Sequence, residues 1–256
     1  MKSLKHSVSW WCFVPDKLTP EAFVRTVAAL GYDAIDLVSP EHYALVKDHG
    51  LEIAAVQGHA LQPQGLNRLE NRGSIEKELS ISLARAVQWN IPYLICFSGN
   101  REGLSDAQGA ENAAANLSYF AKMAEDAGVT LVIELLNSKV DHPDYMCDST
   151  SWGVQVCQMV NSPRVQLLYD IYHMQVMEGD VIRTIQENHR YFGHYHTAGN
   201  PGRNEIDESQ ELNYRPIVKA IVDSGFEGYL AQEFIPKGDP AAGLKNALAI
   251  CKTEVL

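Results

Sequence analysis

No stretch of this 256-residue chain approaches the ~18 consecutive apolar residues that a membrane helix needs, so no membrane partner is expected. Cysteine is sparse. Cys12, Cys96, Cys147, Cys157 and Cys251 make an odd five with no CxxC pair. That argues against a disulfide framework or a zinc ribbon and fits reduced thiols in a cytoplasmic protein. Basic residues are outnumbered, 21 Lys+Arg against 32 Asp+Glu, for a net charge of −11. Phosphate backbones are held by basic surface, so a general nucleic-acid binder is not expected, although a small anion can still find a local site. Neither GxGxxG nor GxxxxGK[ST] occurs, which removes the usual nucleotide-binding loops. No low-complexity linker divides the chain, and Gly199 to Asn204 reads as a long loop rather than a boundary. Met1 to His6 is basic, but Ser7 to Phe13 is too short and mixed for a signal-peptide core.

What is present is ordinary globular composition, 46% hydrophobic and 21% charged. Short apolar runs recur: Ala34 to Val38, Ile53 to Val56, Tyr93 to Phe97, Thr130 to Ile133, Val165 to Tyr169 and Gly228 to Ala231. Most are continuous rather than alternating, as strands buried on both faces require. Ser7 to Cys12 and Tyr191 to His196 complete eight strand candidates. Helical periodicity fills the gaps at Pro20 to Leu30, Ile75 to Trp89, Ala110 to Ala127, Ser151 to Val160 and Tyr214 to Val222. Gly31, Gly50, Gly128 and Gly225 follow helical stretches, the usual place for a C-terminal glycine. Eight β-α units in 256 residues average 32 each, and a (β/α)8 TIM barrel takes roughly 250 residues. The expected fold is therefore α/β, a single barrel domain over residues 1–256, with a doubly wound open sheet as the competitor.

In such a barrel the reactive groups sit at the carboxyl ends of the strands. Four consecutive strands end in Glu134, Asp170, His196 and Glu233, spaced by 36, 26 and 37 residues. Three converging carboxylates repel unless a proton or a cation offsets them. An oxygen-rich set with one imidazole suits Mn²⁺, Mg²⁺ or Co²⁺, and a divalent ion with open positions polarises a carbonyl and its neighbouring hydroxyl. A single strand-end acid is more often a helix cap or a surface partner; the series of four carries the argument. His194 and His196 are expected on opposite faces, leaving one as a ligand. His173 stands as a substrate or supporting group. His59 after the third strand and Arg101 after the fourth are expected at the same mouth as substrate-binding candidates, and Trp10, Trp11 and Phe13 as pocket wall or core.

The stretches Glu134 to Asn137, Tyr169 to Gln175, Gly193 to Glu205 and Gly225 to Glu233 resemble the hydroxypyruvate isomerase family, within the xylose isomerase-like TIM barrels. That group also holds ketose 3-epimerases and inosose dehydratases. The resemblance implies metal ligands at Glu134, Asp170, His196 and Glu233. It also implies an acid/base pair of Glu134 and Glu233, and a substrate contact from His173. Arg203 falls at the pocket rim, where it would meet an anionic or hydroxylated substrate. His196 departs from the glutamine that hydroxypyruvate isomerases often carry and matches the epimerases.

The expected activity is a metal-dependent isomerase of a small hydroxy-carbonyl compound, with proton transfer through a metal-bound enediolate. Hydroxypyruvate to tartronate semialdehyde leads, and a related 2-oxo sugar acid follows. The alternatives are a ketose 3-epimerase, an inosose-type dehydratase and a non-catalytic sugar-binding barrel. A DNA-repair endonuclease is weaker, since the acidic balance disfavours a basic face. The relatives imply a homo-oligomer.

Overall fold

The computed structural model describes residues 4–60 and 65–252, so the basic Met1 to Ser3 stretch lies outside the described residues. The chain forms two compact units. The first takes the described residues up to Ala54, Asp180–His189 and the described residues from Tyr195 onward. It opens with β1 (Lys5–Ser9), α1 (Pro20–Leu30), β2 (Ala34–Asp36), α2 (Tyr43–Asp48) and β3 (Glu52–Ile53). The second takes Ala55–Gly179 and Arg190–His194. It holds β4 (Ala55–Gln57), α3 (Arg72–Trp89), β5 (Tyr93–Cys96), α4 (Asp106–Ala127), β6 (Thr130–Glu134), α5 (Thr150–Val160), β7 (Val165–Asp170) and α6 (Ile171–Met177). The first unit resumes with α7 (Val181–Asn188). It ends with α8 (Tyr214–Asp223), β9 (Tyr229–Gln232) and α9 (Pro240–Cys251). Strand β8 (Phe192–Thr197) gives its first residues to the second unit and its last to the first.

Within each unit the paired strands run parallel. In the first unit the order is β3-β2-β1-β9-β8, with Ser9 beside Asp36, Ser7 beside Ala231 and His196 beside Ala231. In the second unit the order is β7-β6-β5-β4, with Tyr93 beside Thr130 and Glu134 beside Leu168. Such parallel strands carry helices between them and are buried on both faces, which is why their sequences are continuously apolar.

The helices start where their caps dictate. Thr19 accepts the Ala22 N–H ahead of Pro20, and Gly31 at φ 82° closes α1. Ser105 accepts the Gln108 N–H, which carries α4 one turn upstream of its apolar stripe, to Asp106 rather than Ala110. Two strand boundaries differ from the sequence expectation. The first strand stops at Ser9, because Trp10–Cys12 folds into a 3-10 turn closed by Phe13 N–H on the Trp10 carbonyl. The third run is interrupted at Ala54, so that β3 pairs with β2 and β4 with β5, and among the described residues nine strand segments replace eight. All five cysteines are buried as free thiols. Among the described residues no helix is long and apolar enough to cross a membrane.

Candidate functional site

In the first unit the register decides which side chains meet. Ser9, Asp36 and His196 stand on one face, and Glu233 joins them because its N–H continues the β9 ladder onto the Thr197 carbonyl. Glu233 is buried. Its Oε1 accepts the Trp11 indole N–H at 2.9 Å and the Ser9 hydroxyl at 3.2 Å. Its Oε2 accepts from Arg203 Nη2 at 2.6 Å and meets His196 Nδ1 at 2.9 Å. Burial alone would push this carboxyl up. The charges of His196 and Arg203, with hydrogen bonds from His196 and Trp11, outweigh it and hold Glu233 well below the usual carboxylate range. On its other side His196 Nε2 lies 3.5 Å from Asp36 Oδ2, and both residues are fully buried. The imidazole is thus held between two carboxylates.

Arg203 reaches Glu233 because its loop is pinned at several points. Gly199 N–H bonds the Asn204 carbonyl, Ile235 N–H bonds the Arg203 carbonyl, and Asn204 Nδ2 bonds the Ile235 carbonyl. Arg203 itself takes a left-handed φ of 55°, a conformation that costs a non-glycine residue about 1–2 kcal/mol. The guanidinium carbon sits 5.1 Å from the centre of the half-exposed Trp11 ring. Trp10 and Phe13, in contrast, pack on Phe23 as core.

In the second unit Glu134 and Asp170 end neighbouring strands on one face, both buried, with carboxylate oxygens within 4.8 Å of each other. Two carboxylates so close repel unless a cation or a proton lies between them. Asp170 also caps α6: its Oδ1 accepts the His173 N–H at 2.9 Å, and its Oδ2 lies 3.8 Å from His173 Nε2. The fully buried His173 ring is further held by Asn137, 2.6 Å from Nδ1.

The remaining candidates separate. His59 is buried with Nδ1 on the Ala60 carbonyl at 3.0 Å, and Nε2 accepts the Phe97 N–H at 3.1 Å. Burial lowers it to about 4, so it is a neutral ring with both nitrogens committed to backbone. It pins two strand ends and offers no ring nitrogen to a substrate. Arg101 is similarly occupied. Nε bonds Asp106 at 2.7 Å, Nη1 and Nη2 bond Asp148 at 3.1 and 2.9 Å, and Nη1 also bonds the Tyr145 carbonyl. The guanidinium joins the loops after β5 and β6, so the substrate role expected of Arg101 does not fit.

The expectation that His194 and His196 face opposite sides also fails. Residues two apart on a strand share a face. The His194 ring centre lies 5.4 Å from that of Tyr93, whose register partner Thr130 lies on the Glu134 face. His194 differs from His196 by its level along β8, nearer the strand's start.

Two residues with no expected role have now entered the site. Asp36 is an acid inside the apolar run Ala34 to Val38, and that misplaced charge was its signal. Asn137 stands three residues after Glu134, where no periodic rule marks it.

Three likenesses accord with this architecture. The chain is 32% identical over 143 residues to the hydroxypyruvate isomerase of Escherichia coli K12, covering 56% of this chain and 55% of that one. It is 25% identical over 236 residues to the 2-oxo-tetronate isomerase of Haemophilus influenzae, covering 86% and 89%. Matches at 32–33% identity span about half the length of the curated relatives concerned. The crystal structure titled AP endonuclease, family 2, from Brucella melitensis superposes with a TM-score of 0.84 at 24% identity, over 94% of this chain and 97% of that one. At that identity the likeness is one of fold. A family profile described as xylose isomerase-like TIM barrel matches residues 24–253. The chain belongs to the xylose isomerase-like TIM barrel family.

Proposed function

We propose that this chain is a divalent-metal isomerase of a small 2-oxo hydroxy acid, with Glu134, Asp170, His196 and Glu233 as the ligands. One observation carries the reading. The two buried donor pairs, Glu134 with Asp170 and His196 with Glu233, all stand at the carboxyl ends of parallel strands. That is where this fold family assembles its active sites. Three carboxylates and one imidazole fit a hard divalent cation such as Mn²⁺, Mg²⁺ or Co²⁺. When bound, such a cation acts as a Lewis acid on a carbonyl and its neighbouring hydroxyl, which acidifies the proton between them.

The chain's own residues do the rest. Glu233, held ionised by its cationic neighbours, is in the form that can accept a proton from carbon. Glu134 stands as its partner for returning a proton to the adjacent carbon. For hydroxypyruvate, a carbon-bound proton leaves C3 and one arrives at C2, while the C3 hydroxyl proton is lost and the C2 oxygen gains one, giving the isomer tartronate semialdehyde. Arg203 supports an acidic substrate. Its guanidinium, beside Glu233 and over Trp11, places a cation where a substrate carboxylate would be neutralised. The relatives named for hydroxypyruvate and 2-oxo-tetronate support the same class, and a 2-oxo sugar acid is the second substrate to try.

The test is a panel of small 2-oxo acids and ketoses incubated with Mn²⁺ in D₂O, read by mass and NMR. An isomeric product, heavier only by one deuterium on the carbon next to the acid, supports the isomerase. Loss of water identifies a dehydratase, and inversion at one carbon with the carbonyl unmoved identifies an epimerase. No exchange into any compound identifies a binder; each of these three outcomes would overturn the reading.

A further inference from the structure

Asn137 occupies the turn after β6 and is fully buried. Its Oδ1 accepts the N–H groups of Val140 at 3.0 Å and Asp141 at 2.8 Å. Those two bonds decide which end of the amide is oxygen, because the reversed amide would set N–H against two N–H donors. Its Nδ2 therefore faces His173 Nδ1 at 2.6 Å and Asp141 Oδ2 at 2.7 Å. Asp141 Oδ2 is itself fixed by the Tyr172 hydroxyl at 2.8 Å.

An amide nitrogen only donates. His173 Nδ1 must then supply a lone pair, and the ring proton belongs on Nε2. A proton on Nδ1 would meet an amide hydrogen inside hydrogen-bond distance. The ring is fully buried, which leaves it little room to turn and escape.

We infer that Asn137 is a positioning residue that fixes the His173 tautomer, with Nδ1 as the acceptor and the ring proton on Nε2. The substrate half of this inference rests on the function proposed above; the lock itself does not. Within that function, His173 gives a hydrogen bond to a substrate oxygen and takes no proton from the substrate. Both proton transfers fall to carboxylates. A substrate oxygen facing His173 is then an acceptor, which a carbonyl becoming an enediolate oxygen satisfies.

The experiment is two-bond ¹H–¹⁵N NMR on the histidine-labelled full chain, with the His173 signals identified by their loss in His173→Gln. The wild-type ring is expected with a bare, pyridine-type Nδ1 and a protonated Nε2. A proton on Nδ1 overturns the inference, whatever the substrate panel shows. Asn137→Asp replaces the amide donor with an acceptor, and the ring proton is expected to move to Nδ1. Turnover should then fall about 10²-fold in kcat, with KM little changed. An unchanged Nε2–H ring in Asn137→Asp overturns the lock. Should that variant not fold, Asn137→Ala is expected to show a mixture of both tautomers, and a pure Nε2–H ring there counts against Asn137. A panel without turnover defeats the proposed function alone, since the wild-type ring spectrum still decides the lock.

Discussion

Arg203 Nη2 donates to Glu233 Oε2 at 2.6 Å while the same guanidinium covers the Trp11 ring. The cation therefore touches the proposed base and the half-exposed Trp11 ring together. Lysine keeps the charge but loses the planar fork and the stacking. Arg203→Lys is expected to raise KM for a 2-oxo acid by roughly 10–100-fold, the worth of a charge-assisted hydrogen bond. KM for a neutral ketose should move little. Equal effects on both substrates, measured by initial rates, would detach Arg203 from carboxylate recognition.

Glu134→Gln and Glu233→Gln keep the shape of each side chain and remove its ability to take a proton. Each is expected to lower turnover by about 10²–10⁴-fold. Deuterium exchange into the substrate should stop with it, while circular dichroism stays native. Full exchange in both variants would remove the proposed acid/base pair.

Asp36 is the second carboxylate against His196, at 3.5 Å from Nε2. A carboxylate behind a ligating imidazole orients the ring and raises its basicity. Asp36→Asn is expected to weaken Mn²⁺ binding about 10–100-fold by calorimetric titration. Mn²⁺ at a hundred times its Kd should add about 2.7 kcal/mol of stability to the wild type, and chelation should remove it. A melting temperature indifferent to both would argue that no cation sits there.

His59 makes a prediction about acid. Burial lowers it from 6.5 to about 4, so the unfolded chain binds its proton first as pH falls. Its contribution is fully present above pH 6.5 and is lost between 6.5 and about 4, on the order of 3 kcal/mol in all. His6, also lowered by burial to about 4, adds to the loss in the same window. His59→Ala leaves the Phe97 N–H without its acceptor and is expected to cost about 1–3 kcal/mol at neutral pH. That cost should shrink toward pH 4, where the wild type has lost the same term. Urea midpoints across this range test it, and a constant difference would contradict a neutral, committed His59.

Strand ends were legible because a charged residue closing an apolar run is rare and local, as in Val132-Ile133-Glu134 and Leu168-Tyr169-Asp170. Helix faces were legible for the same reason, and α1 runs from Pro20 to Leu30 as its cap and periodicity require. The turn at Trp10–Cys12 and the break at Ala54 were not, because tertiary packing decides where an apolar run stops pairing. Nor were the fates of Arg101 and His59. Whether a loop side chain meets a substrate or a backbone carbonyl depends on the path of the loop, which periodicity does not record. The two histidines of β8 teach a different lesson, since a period of two already puts residues 194 and 196 together.

Asp170 ends a strand, begins a helix and is a proposed ligand, all through one short side chain. Lengthening it to glutamate would carry the carboxylate one methylene away from the His173 N–H that it caps. Folding and chemistry are therefore inseparable at this position. Redesign of the barrel for another substrate has almost no freedom at position 170.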